Sequence, residues 1–135
     1  MISLSCKAAR MKWKKFLLVL PALLITGCAG TFTNLTPLEQ TRNGNNLYPV
    51  EVSFASQQQS LRWDSIHPYL LVNGQLYDMH QTPMMTNRWE GFVPASPMEN
   101  TVTYRYKFDY LNDAFSAQPK PTSAYSPAYH LTITQ

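Results

Sequence analysis

The chain has 135 residues and a formal charge of +3, but that charge is unevenly placed. Lys7, Arg10, Lys12, Lys14 and Lys15 all precede an apolar run. Six basic residues are left against all eight acidic ones, near −2 beyond that run. This excludes a nucleic-acid or anionic-surface binder argued from overall basicity. The two cysteines, Cys6 and Cys28, leave none after position 28, which excludes a disulfide framework, Cys-ligated zinc and a thiol nucleophile there.

Lys12, Lys14 and Lys15 form a basic segment ahead of Phe16-Leu17-Leu18-Val19-Leu20-Pro21-Ala22-Leu23-Leu24-Ile25. A run of about ten apolar residues fits a secretory h-region and falls short of the 18 or more that span a bilayer. An ordinary export signal would account for the run alone. The boundary at its end is more specific: Ile25-Thr26-Gly27-Cys28 resembles the lipobox of bacterial lipoprotein signal peptides. The resemblance implies a helical signal peptide over 1–27, cleaved between Gly27 and Cys28. It also implies diacylglycerol on the Cys28 sulfur and acylation of the new amino group. Met11 opens a compact signal, so Met1–Arg10 is either an upstream start or a long n-region. Ala29, where an inner-membrane retention signal would have Asp, implies an outer-membrane destination. Each buried methylene contributes roughly 0.8 kcal/mol and two chains suffice for stable anchoring, so the lipid on Cys28 makes the membrane this chain's first partner.

About 108 residues remain after cleavage, enough for one domain with its own core. Residues 28–46, rich in Thr, Asn and Gly, read as the lipidated cysteine and a flexible tether, with room for a short strand at Thr31–Leu35. Such a coil would reach on the order of 20–25 Å. Asn34-Leu35-Thr36 matches a glycosylation sequon, which has no meaning behind a bacterial lipobox. The domain proper is expected over 47–135.

Tyr48 to Phe54 alternates strictly, with Tyr48, Val50, Val52 and Phe54 on one face, which predicts a half-buried strand. Pro49 suits an edge or first position. Asn73-Gly74 between Ile66–Val72 and Gln75–Met79 predicts a hairpin with a type I′ turn, because both residues accept positive φ. Thr82–Thr86 reads as short strand or loop. Arg88–Pro94 places Trp89, Gly91 and Val93 on one side, and Gly91 marks a bulge or a close backbone approach. Thr101–Tyr110 is the strongest pattern: Val102, Tyr104, Tyr106, Phe108 and Tyr110 share one face, with Arg105, Lys107 and Asp109 on a wet one. That strand should be central. Leu111–Pro127, with three prolines, reads as a long draped connection, and Tyr129–Ile133 as the last strand. No helical period is visible beyond Cys28. Six or seven strands between turn signals predict an all-β fold, an immunoglobulin-like antiparallel β-sandwich.

The mature region resembles a group of small bacterial lipoproteins without an assigned activity. The matching residues are Asn34-Leu35-Thr36-Pro37, Leu47-Tyr48-Pro49, Asn87-Arg88-Trp89-Glu90 with Val93-Pro94, and Tyr104 to Tyr110. Trp89 with Tyr104-Arg105-Tyr106-Lys107-Phe108 on the next strand is also similar to the early-set immunoglobulin-like domains beside glycan-active enzymes. That likeness implies the fold and not sugar binding.

His67, His80 and His130 have no metal-ligand spacing, and Asp64 three residues from His67 marks no triad, since a Ser-His-Asp array can be proposed between almost any such residues. No catalytic, metal or cofactor set is assembled, and the chain is expected not to be an enzyme. The expected function is a membrane-anchored accessory lipoprotein that contacts an envelope protein. A glycan- or peptidoglycan-binding module is the alternative, and it requires exposed aromatics such as Trp63, Tyr69, Tyr77 and Phe92 on one open face.

Overall fold

A computed structural model describes residues 30–113 and 118–135. Ten strands run through them: β1 (Thr31–Asn34), β2 (Glu39–Thr41), β3 (Leu47–Ala55), β4 (His67–Val72) and β5 (Gln75–Asp78), then β6 (His80–Gln81), β7 (Arg88–Pro94), β8 (Thr101–Asn112), β9 (Lys120–Tyr125) and β10 (Tyr129–Thr134). Among the described residues, a 3₁₀ turn at Trp63–Ser65 interrupts them. The strands form two sheets, β1-β3-β7-β6 and β2-β10-β8-β4-β5, with β9 also paired to β8. All pairs are antiparallel except β2 with β10. The fold is an all-β sandwich, as the alternation predicts. Among the described residues, no helix is long and apolar enough to cross a membrane.

The period-two faces land inside. Tyr48, Val50, Val52 and Phe54 of β3 meet Val102, Tyr104, Tyr106, Phe108 and Tyr110 of β8 in one core with Leu70, Trp89 and Leu131. Phe32 joins from β1, its ring 4.8 Å from Phe54 and 5.1 Å from Phe108. β8 is central, flanked by β4 on one edge and by β10 and β9 on the other. The hairpin turns at Asn73 (φ 50°) and Gly74 (φ 77°), both in the left-handed region expected of that pair. Gly91 is a close approach: a Cβ there would sit 3.0 Å from the Met79 side chain. Pro49 lies opposite Phe92 of β7, and β1 covers only Val52–Ala55 on the other side, so its missing N–H leaves no ladder gap.

Three expectations change. Residues 31–41 are not tether, because β1 pairs with β3 and β2 with β10, and the fold begins well before Leu47. The draped connection over 111–127 contains β9, which pairs with Lys107–Asn112. Its Pro, Ser and Ala side chains hid a strand held by its backbone ladder. The strand count rises accordingly from six or seven to ten.

β9 and β10 lie along the same edge of β8, and buried Ser126 joins them. Its N–H donates to the Tyr106 carbonyl at 2.9 Å, and its hydroxyl accepts from the Tyr106 N–H at 2.8 Å. Its carbonyl accepts from Arg105 Nε and Nη2 at 3.1 and 2.9 Å. All three polar groups of Ser126 are thereby matched, as burial requires.

Candidate functional site

The outer face of the four-stranded sheet carries the better formed concavity. Leu35 leaves β1 with its N–H on the Glu51 carbonyl at 2.9 Å. Thr36 then turns inward: its hydroxyl accepts from the Glu51 N–H at 2.9 Å and lies 3.2 Å from the Glu51 carbonyl. Farther along, Gln40 donates to the Pro49 carbonyl at 2.7 Å. The 35–40 segment therefore stands as a wall beside β3, enclosing a groove of about 480 Å³ lined by Leu35, Pro37, Pro49, Glu51, Glu90 and Phe92 among others. Phe92 is 51% exposed and Leu35 37%. Apolar rings and methyls thus lie open to water inside a charged rim.

In that rim, His80 Nε2 lies 2.8 Å from Glu90 Oε1, and Arg88 Nη1 lies 3.5 Å from Glu51 Oε1. Exposed pairs of this kind contribute about 0–1 kcal/mol each. A His–Glu pair could orient a general base, but it needs something to activate. Thr36 borders the same groove, but its hydroxyl turns inward, committed to Glu51 and 3.3 Å from the Tyr106 hydroxyl. The arrangement can receive an apolar side chain and orient polar groups around it.

The outer face of the six-stranded sheet is differently built. Asp78, Tyr69, Lys107 and Tyr125 form one cross-strand row. The Lys107 ammonium is 5.6 Å from the Tyr69 ring centre, 6.0 Å from that of Tyr125 and 3.0 Å from Asp109 Oδ2. Lys107 therefore lies along covered surface, where the alternation predicts a wet face. Its hydrogen bond to Asp109 raises its pKa. For Asp109, partial burial pushes the carboxyl up, but the hydrogen bonds from Ser123 and Lys107 prevail and hold it below the usual carboxylate value. Arg88 and Glu90 sit on the opposite sheet, so no cross-strand pair with Lys107 or Asp109 forms.

The aromatics named for a glycan platform do not converge. Phe92 faces out from the four-stranded sheet, whereas Tyr69 belongs to the outer row of the six-stranded one. Tyr77 packs against the core, and Trp63 lies at one end of the sandwich, 6.0 Å from Phe54. The histidines are equally dispersed: His80 meets Glu90, His130 meets Thr103, and His67 lies opposite Asp109. Among the described residues no group of His, Cys, Asp and Glu could hold a metal. Cys28 lies outside the described residues.

Of the groove, the sequence pointed to Phe92 alone as an exposed contact, and to His80 only as a histidine without ligand spacing. Leu35, Pro37 and Pro49 come together through the β1–β2 connection, and the available signal was an apolar residue on each outward face.

Fold and surface together define an all-β sandwich with an open apolar groove. No family model matches the chain, and no curated protein matches it.

Proposed function

We propose that this chain is a bacterial envelope lipoprotein, anchored through lipid on Cys28. Its sandwich works without catalysis by docking a partner protein at the groove between the 35–40 segment and Phe92. The observation that carries the docking reading is the half-exposed Phe92 ring beside Leu35, Pro37 and Pro49, inside a rim of Glu51, His80 and Glu90. Apolar centres with polar rims are the usual anatomy of protein contacts. The scattered aromatics favour this reading over a glycan platform. The anchor rests on the lipobox resemblance at Ile25–Cys28.

The test is in vivo crosslinking and subsequent fractionation, with Cys28→Ser and Phe92→Glu compared with wild type. Cys28→Ser is expected to lose fatty-acid labelling, and persistent labelling would remove the anchor. Phe92→Glu should keep both the label and the wild-type melting curve, because the side chain points to water, yet lose its crosslinked partner band. An unchanged band would take the partner site away from the groove.

A further inference from the structure

The first described residue is held tightly. A Cβ on Gly30 would lie 2.2 Å from two carbons of the Phe54 ring and 3.2 Å from the Ala55 carbonyl oxygen, so the backbone there lies directly on the core. Thr31 then pairs with Ala55. Only Ala29 separates this fixed point from Cys28. Fully extended, the two residue steps from Cys28 to Gly30 reach roughly 7 Å. A lipid on Cys28 therefore cannot act as a long leash, and the end of the sandwich at Gly30 is confined to the bilayer surface.

That end carries an exposed tryptophan. Trp63 is 44% exposed, and its ring lies 6.0 Å from the same Phe54 ring that Gly30 covers. It lines a shallow concavity with Thr86 and Asn87, and the Asn87 carbonyl accepts the Phe54 N–H at 3.0 Å, placing that loop at the same end. Indole, with an apolar body and one N–H, partitions to the headgroup layer of membranes. Arg62, next to it, is shared between Asp64 at 3.7 Å and Asp113 at 3.8 Å. These three charges sum to −1, which favours zwitterionic over anionic headgroups.

Building on the anchor reading, we propose that this end is the membrane-facing end of the domain, with the Trp63 indole seated among the headgroups of the bilayer that holds the Cys28 lipid. The groove then stands on the flank of the sandwich, clear of the membrane, where a partner can reach it.

The experiment uses the full chain expressed in a lipoprotein-processing bacterium and extracted from its membranes. Mass spectrometry reads acylation of Cys28, and the protein is reconstituted into phosphatidylcholine vesicles with brominated acyl chains. Cleavage before Cys28 removes Trp13, leaving Trp63 and the buried Trp89 as fluorophores. Wild type is expected to lose most of its Trp63 emission to bromine and to shift to the blue. Trp63→Phe, which keeps an aromatic ring, should retain its emission, and Trp89→Phe, left with Trp63 as its one fluorophore, should be quenched by a larger fraction than wild type. Acylated protein whose emission is quenched no more than that of Trp63→Phe overturns the orientation and leaves the anchor standing. A chain without acyl groups on Cys28 overturns both.

Discussion

Tyr106→Ala is expected to remove about 3–5 kcal/mol of stability, from a total of roughly 5–15 for a domain of this size. The ring is fully buried at the centre of β8, 5.7 Å from Tyr104 and 5.8 Å from Tyr129. Its hydroxyl crosses to the other sheet, where it donates to Asn34 Oδ1 at 2.8 Å and lies 3.3 Å from both the Thr36 hydroxyl and the Glu51 carbonyl. Truncation thus opens a cavity and unties the sheets at one stroke. Tyr106→Phe separates the two effects: it keeps the ring and should lose only about 1–3 kcal/mol, the cost of buried polar groups left without their partner. Lys107→Ala, one residue away on the outer face, loses only a partly exposed ion pair and some stem packing, and should shift the midpoint least. Urea midpoints rank the three. If Tyr106→Ala melted like wild type, the tyrosine row would face outward and become a binding surface.

The same hydroxyl predicts an alkaline limb. Burial raises the Tyr106 pKa well above its ordinary value of 10.0, so the folded state keeps a proton that the unfolded chain releases. Stability from this group is fully present below pH 10.0 and declines as pH rises beyond it. Tyr106→Phe should flatten that decline. Part of the slope should remain, because burial also raises the pKa of Tyr110 and Tyr129.

Strands whose side chains alternate were legible because one buried face per strand writes itself into the sequence. β3, β7, β8 and β10 obey that rule, and the hairpin was legible because Asn73-Gly74 encodes its own turn. β2 and β6, of three and two residues, have polar side chains and exist by backbone pairing with neighbours already in place. β9 contributes small Ala124 to the core and carries a proline, so no large apolar period marks it. Asn34-Leu35-Thr36 is the sharpest case. Polarity assigns it to a tether and its spacing imitates a sequon, yet Asn34 and Thr36 turn inward to reach tyrosines 70 or more residues away. A polar side chain in the core is justified only by its partner, and pattern reading cannot supply a partner at that distance. The groove stayed hidden for the same reason, since its walls meet only after β1 docks.

A chain starting at Asn46 is expected not to fold, whereas one starting at Gly30 should give a cooperative transition. Removing the segment ahead of Asn46 strips β1 from β3 and β2 from β10, uncovering the Phe54 and Phe108 rings that Phe32 packs against. Tyr104 then loses the amide of Asn34 at 2.9 Å, Tyr106 loses its acceptor, and the Glu51 carbonyl loses both Leu35 N–H and Thr36. Each buried polar group left unmatched costs about 1–3 kcal/mol. Three such losses together with Phe32 reach the whole stability of a small domain, roughly 5–15 kcal/mol. Loss of β2 also bares the backbone of β10 along Thr132–Thr134, an open edge that favours aggregation over refolding. Circular dichroism and urea titration of the two chains distinguish the outcomes. A sharp transition in the chain from Asn46, within about 1 kcal/mol of the longer one, would return residues 30–45 to the role of tether. It would also detach the domain from the membrane surface, since the 17 residues from Ala29 to Asn45 would then be coil between Cys28 and the fold, reaching on the order of 20–25 Å.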